Sequence, residues 1–142
     1  MSDSPEELGP VVVDTDVFSL AYLPARPGSD SEWRERLFGR TIAVAVQTAV
    51  ELRSGARMDN WSARRLKELD DLIAAVHVVP VSEAAQASYV RLTVWARQSG
   101  HAIHQRGHAA DRWIAATAMA WDLELASGDG IFDEIDGLRR LP

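Results

Sequence analysis

Apolar residues in this chain fall into short unbroken runs separated by longer stretches of helical spacing. Residues 11–13, 41–46, 77–81 and 123–127 are apolar-rich, and the first lacks the polar–apolar alternation of a half-exposed strand. Runs of this length read as strands covered on both faces. Between them, Leu66, Leu69 and Ile73 recur at spacings of three and four, the stripe of an amphipathic helix.

The punctuation between runs sharpens the element boundaries. Pro10 introduces the first strand, residues 11–14, and a short helix over 17–23 gives way to the loop 24–29, which holds two prolines and a glycine. Residues 31–38 read as a helix closed by Gly39, 41–46 as the second strand, and 48–57 as the next helix. Asn60 is the expected cap of a helix over 61–75. The third strand is 77–81, and Ser82 caps a helix that runs to about residue 98 and stops at Gly100. A polar loop, 101–107, leads into a helix over 111–121. The fourth strand is 123–127, and residues 138–141 supply a fifth at the edge. Strands alternating with helices predict right-handed crossovers and an α/β fold of three layers, α/β/α, around a central parallel sheet of four to five strands. One domain over residues 10–142 accounts for the length, and residues 1–9 read as a disordered acidic tail.

Composition narrows the function more by exclusion than by indication. The 142 residues contain no cysteine, which removes disulfides, thiolate zinc sites and a cysteine nucleophile. The tail has no apolar core of a signal peptide, and no apolar run reaches membrane-spanning length, so a cytoplasmic protein is expected. The net charge of −6 argues against a nucleic-acid partner until its distribution is considered. Setting aside four candidate metal-binding acids leaves 17 acids of the 21 against 15 bases, so the rest of the chain is close to balance.

Those four are Asp14, Glu51, Asp111 and Asp129, each where a strand meets a loop or helix. In open α/β sheets, ligands bind beyond the carboxyl ends of the strands, so acids from distant parts of the chain can converge there. Converging carboxylates repel one another unless a cation intervenes, and oxygen-only ligands suit Mg2+ or Mn2+. A metal-dependent hydrolase is the leading expectation. His101, His104 and His108 read as a polar loop, since zinc needs three or four rigidly supported ligands. The five tryptophans, at 33, 61, 95, 113 and 121, read as core packing.

The motifs together resemble the PIN-domain ribonucleases, in particular the toxins of VapBC-type toxin–antitoxin pairs. The resemblance is carried by Val11-Val12-Val13-Asp14-Thr15-Asp16, by Glu51-Leu52, by Asp111-Arg112-Trp113-Ile114-Ala115-Ala116-Thr117-Ala118, and by Ser127-Gly128-Asp129-Gly130-Ile131-Phe132. It implies a PIN-like fold and an endoribonuclease dependent on Mg2+ or Mn2+, restrained by an antitoxin and self-associating as a homodimer. Asp14, Glu51, Asp111 and Asp129 would then hold the metal. Thr15 or Ser127 would orient a water or a ligand carboxylate, and Asp16 would hold its loop by hydrogen bonds. Arg53 and Arg57, on the Glu51 helix and one turn apart, are the candidate RNA contacts. The chain departs from the family at Ile131, where many relatives carry a further acid before the aromatic residue. Asp133 lies just beyond Phe132, and whether one metal or two is held stays open.

Two rival readings stand beside this one. Asp14-Thr15-Asp16 also resembles the nucleophile motif of haloacid-dehalogenase-like phosphatases, with Asp14 attacking phosphorus and Asp129 helping to hold Mg2+. That scheme needs a basic residue near the phosphate, and Lys67 is the only lysine. It also leaves Glu51 and Asp111 without a role. The other rival is a non-catalytic binding module of the same fold.

Overall fold

Val11, Val12 and Val13 are wholly shielded from solvent, because the strand they form (β1, Val11–Val13) lies inside a sheet covered on both faces. In the computed structural model, which describes residues 8–23 and 31–142, β1 leads through Asp14 into helix α1 (Thr15–Tyr22). Helix α2 (Ser31–Leu37) precedes strand β2 (Ile42–Ala45), which passes directly into α3 (Val46–Met58). Then follow α4 (Ala63–Ala74), β3 (His77–Val79) and α5 (Glu83–Ser99). Two short 3-10 turns, Ala102–His104 and Arg106–His108, lead to α6 (Ala109–Ala120), β4 (Glu124–Ala126) and a last 3-10 turn, Gly130–Phe132. The expected tail falls largely on residues 1–7 and the expected loop on 24–29; both of these stretches lie outside the described residues.

The sheet is parallel throughout, in the order β3-β2-β1-β4. Successive strand residues feed opposite layers. Val11, Val13, Val44 and Ala126 pack with Val17, Phe18, Leu52, Leu69 and Ile73 from α1, α3 and α4. Val12, Ala43, Ala45 and Leu125 pack with Leu92, Ala96, Ile114 and Ala118 from α5 and α6. This is the three-layer α/β/α architecture that the alternation of strands and helices predicts. The order also puts β1 at the centre, with β2 and β4 on either side, which fixes where their carboxyl ends converge.

Two boundaries depart from expectation for local reasons. Asn60 does not cap α4. It takes a positive φ of 54° just after α3, and the Trp61 N–H donates back to the Ala56 carbonyl at 3.0 Å. Asn60 therefore ends the preceding helix in a left-handed turn that asparagine tolerates. Ser62 is the cap of α4, its hydroxyl accepting the Arg65 N–H at 3.3 Å. The fifth edge strand is reduced to one parallel bridge between Leu125 and Arg140, closed by Leu125 N–H to the Arg139 carbonyl and Leu141 N–H to the Leu125 carbonyl. Pro142, with no N–H, cannot extend the ladder. Elsewhere the element order stands with ends shifted by up to two residues, including the stop at Gly100, whose φ of 77° suits glycine; β3, at the sheet edge, is exposed at His77 and Val78 rather than covered on both faces.

Candidate active site at the carboxyl end of the sheet

The chain turns out of β1 at Asp14, whose side chain accepts the Val17 N–H at 2.8 Å and so caps α1. That bond fixes the carboxylate at the strand end and leaves it only 4% exposed. Asp16 follows in the first helical turn. Because β2 passes straight into α3, Glu51 lies in the second turn of that helix, one turn beyond the buried Thr48. Asp111 occupies the first turn of α6, where the helix dipole favours an anion. Asp129 follows β4 and accepts the Ile131 N–H at 3.0 Å.

Asp14, Thr15, Asp16, Glu51, Asp111, Ile114 and Asp129 line one cleft of about 70 Å3. All four expected acids are thus brought to one place, with Asp16 as a fifth. A wider cleft of about 500 Å3 runs by the β3 edge, but Pro10, Ala43, Val78, Val79, Trp121 and Leu123 make its walls mostly apolar. The gathered carboxylates belong to the smaller one, whereas His77 is the one ionisable side chain lining the wider.

Each of the four acids is held by groups behind it. The Thr15 hydroxyl donates to Glu51 Oε2 at 2.9 Å and lies 3.2 Å from the Thr48 hydroxyl. The Ser127 hydroxyl accepts the Asp129 N–H at 3.0 Å, and its interaction with the Asp14 carboxyl partly opposes the effect of burial there. His108 Nδ1 lies 2.8 Å from Asp111 Oδ2. Arg140 donates to the Ser127 carbonyl at 2.6 Å and to Asp133 Oδ1 at 2.7 Å, tying down the loop that carries Asp129. Thr48 was legible in principle, since it precedes Glu51 by three on one helix face. Arg140 carried no sequence signal, because its role depends on the single bridge beside β4.

The cleft is electrostatically strained as it stands. Burial pushes the Asp14 carboxyl above its ordinary 3.8; Ser127 and Val17 partly oppose this, and the Asp16 and Asp129 charges add to it. Burial likewise raises Glu51 above 4.5, against the Thr15 hydrogen bond and with the charges of Asp111 and Asp16. No basic side chain lines the cleft among the described residues. Among these residues, no three imidazole or carboxylate groups are already gathered closely enough to hold an ion. The reason is visible in the hydrogen bonds: carboxylates that repel one another turn to the nearest protein donors. In chemistry the set fits a hard divalent ion, being all oxygen, anionic and partly desolvated. A cation would offset the cost of burying the Asp14 and Glu51 charges and the smaller repulsion from their neighbours.

Other candidates lie elsewhere. Arg53 pairs with Asp70 of α4 at 3.1 Å, and neither Arg53 nor Arg57 lines the cleft. His101 Nε2 bonds the Asp133 carbonyl and His104 Nδ1 the His101 carbonyl, so these two rings organise the loop. Trp121 is 54% exposed, an exception to core packing. Lys67 pairs with Asp71 on α4 at 3.0 Å, away from the cleft, which removes the basic partner that the phosphatase scheme needs.

A small parallel α/β/α domain with acids gathered at its strand ends is a known class, and the comparison with protein families identifies which. The model of the PIN domain matches residues 11–138, and the chain belongs to that family. Its fold is similar to that of solved toxin–antitoxin structures. One is DNA-bound VapBC from Salmonella typhimurium, with a TM-score of 0.76, 20% identity and coverage of 94% of this chain and 97% of that one. Another is FitAcB from Neisseria gonorrhoeae, with a TM-score of 0.75, 24% identity and coverage of 93% and 96%. A third is a member of the VapBC family of toxin–antitoxin systems from Mycobacterium tuberculosis, at 0.64, 26% identity and coverage of 92% and 98%. No curated protein sequence matches the chain. The resemblance drawn from the motif order is borne out. Among the described residues, no helix is long and apolar enough to cross a membrane.

Proposed function

We propose that this chain is the toxin of a VapBC-type pair, an endoribonuclease that hydrolyses RNA phosphodiester bonds with Mg2+ or Mn2+. The observation that carries the reading is that Asp14, Glu51, Asp111 and Asp129, from four separate elements, line one cleft at the end of the sheet. In this reading the four carboxylates hold the ion. A bound divalent ion lowers the pKa of a coordinated water and stabilises charge on the phosphoryl oxygens. Thr15 orients Glu51, Ser127 spans Asp14 and Asp129, and His108 orients Asp111. The near-neutral body beyond the site lets a polyanion approach once the acids are neutralised.

The partners in this reading are an antitoxin protein, an RNA substrate and a second copy of the chain. Toxin–antitoxin relatives solved together support the first. One folded domain over residues 10–142 and a cytoplasmic location go with it.

The test compares wild type with Asp14→Asn and Asp111→Asn, free of any partner, on structured RNA and on a phosphate monoester. Each is assayed with Mg2+, with Mn2+ and with EDTA. Cleavage of RNA that needs the ion and drops about 100-fold or more in both variants is expected. Variants that cut at the wild-type rate would sink the assignment. Monoester turnover without RNA cleavage would move Asp14 to a nucleophile's role, and no turnover with intact antitoxin binding would make the domain a binding module.

A further inference from the structure

We propose that Asp16 is a fifth metal-facing carboxylate of the cleft, beside Asp14, Glu51, Asp111 and Asp129. The inference rests on the metal-dependent reading above and concerns which residues of this chain complete the donor set.

Near the last 3-10 turn, the side chains beside Phe132 are committed elsewhere. Ile131 packs against the core between the sheet and α5 and α6. Asp133 is ion-paired to Arg140 at 2.7 Å and does not line the cleft. Asp16 does line it, from the first turn of α1. It is also the lining acid with neither oxygen engaged by a protein hydrogen bond among the described residues. Asp14, Glu51, Asp111 and Asp129 each hold a protein hydrogen-bond partner, whereas the Asp16 carboxylate has none among the described residues.

The expectation that Asp16 holds its loop by hydrogen bonds is therefore replaced by a different role. An exposed acid in a first helical turn has an ordinary explanation in the helix dipole. The two explanations differ in what they require of the ion. A dipole charge stabilises the helix equally with and without metal. A metal-facing carboxylate costs stability beside Asp14 and Glu51 until a cation arrives.

The experiment is calorimetric titration of Mn2+ into the full chain, paired with thermal melts in EDTA and in saturating Mn2+, for wild type, Asp16→Asn, Asp133→Asn and Asp14→Asn. Asp16→Asn should weaken Mn2+ binding about tenfold or more, shrink the melting rise that Mn2+ induces, and leave the EDTA melt no lower than wild type. Asp133→Asn should bind Mn2+ as wild type does. Wild-type affinity in Asp16→Asn, or an equal loss of stability in EDTA and in Mn2+, would overturn the proposal. If Asp14→Asn loses the ion while Asp16→Asn keeps it, this proposal alone falls; if wild type takes up no Mn2+, the metal-dependent reading falls with it.

Discussion

Substitution of Asp14 separates two jobs that one side chain performs. Its Oδ1 caps α1 by accepting the Val17 N–H, and its charge sits almost fully buried beside two other acids. Asparagine keeps the capping oxygen and removes the charge, whereas alanine removes both. The sign of the charge effect follows from burial. In the folded chain the carboxyl binds its proton more tightly than in the unfolded chain, whose value is near 3.8. Below that value both states are protonated and the charge costs nothing. As pH rises through the folded value, the native state takes on the cost of an ionised buried group, and stability falls relative to a neutral side chain. Without metal, Asp14→Asn should therefore melt above wild type near neutral pH, with the gap closing as pH falls toward 3.8. Asp14→Ala should lie below Asp14→Asn by the value of the cap, about 1 kcal/mol. For a chain of this size that is roughly 3–4 °C in melting temperature. Circular-dichroism melts in EDTA across the acid-to-neutral range read all of this. An Asp14→Asn protein that melts below wild type near neutral pH would refute the reasoning, because the buried charge would then be stabilising without a cation.

Three further outcomes follow from groups away from the cleft. Arg140→Met should cost about 1–3 kcal/mol by chemical denaturation, since it leaves the Ser127 carbonyl unpaired, and should lower RNA cleavage by releasing the Asp129 loop; unchanged cleavage would detach Arg140 from the site. Arg112→Met should cost about 2–3 kcal/mol, because the buried guanidinium donates to the Ile103 and Gln105 carbonyls and the Tyr89 hydroxyl; amide exchange confined to residues 102–108 should quicken. Ser62→Ala should cost about 1 kcal/mol, while Asn60→Gly should change stability by only a few tenths of a kcal/mol because glycine also accepts a positive φ; the reverse order in urea melts would return the cap to Asn60.

Most of the fold was legible because its signals are local. Three buried valines after a proline, or a serine three residues before the Ala85 N–H that it caps, announce themselves within a few residues. The reading failed where two local signals competed. Asn60 and Ser62 are both good helix caps by composition, and what separates them is that α3 ends two residues earlier and needs a left-handed residue to close it. The edge segment 138–141 failed differently. Its pairing depends on the lone contact with Leu125, and a one-bridge interaction has no periodicity to read.

The site divides along the same line. Its four acids were legible because each sits at a strand end or in the helix just beyond one, where topology forces convergence. Their orientation was not, because it comes from residues distant in sequence. Ser127 meets Asp14 across the β1–β4 pairing, Arg140 reaches Ser127 from the C-terminal segment, and Thr15 meets Glu51 across 36 positions. Two chains can therefore share all four acids and differ in how firmly those acids are aimed. The same argument explains Asp16 and Asp133. By sequence alone, Asp133, just beyond Phe132, is the candidate for a further acid at the site. Arg140, seven positions on, claims that carboxylate, and the turn from β1 into α1 carries Asp16 to the cleft in its stead.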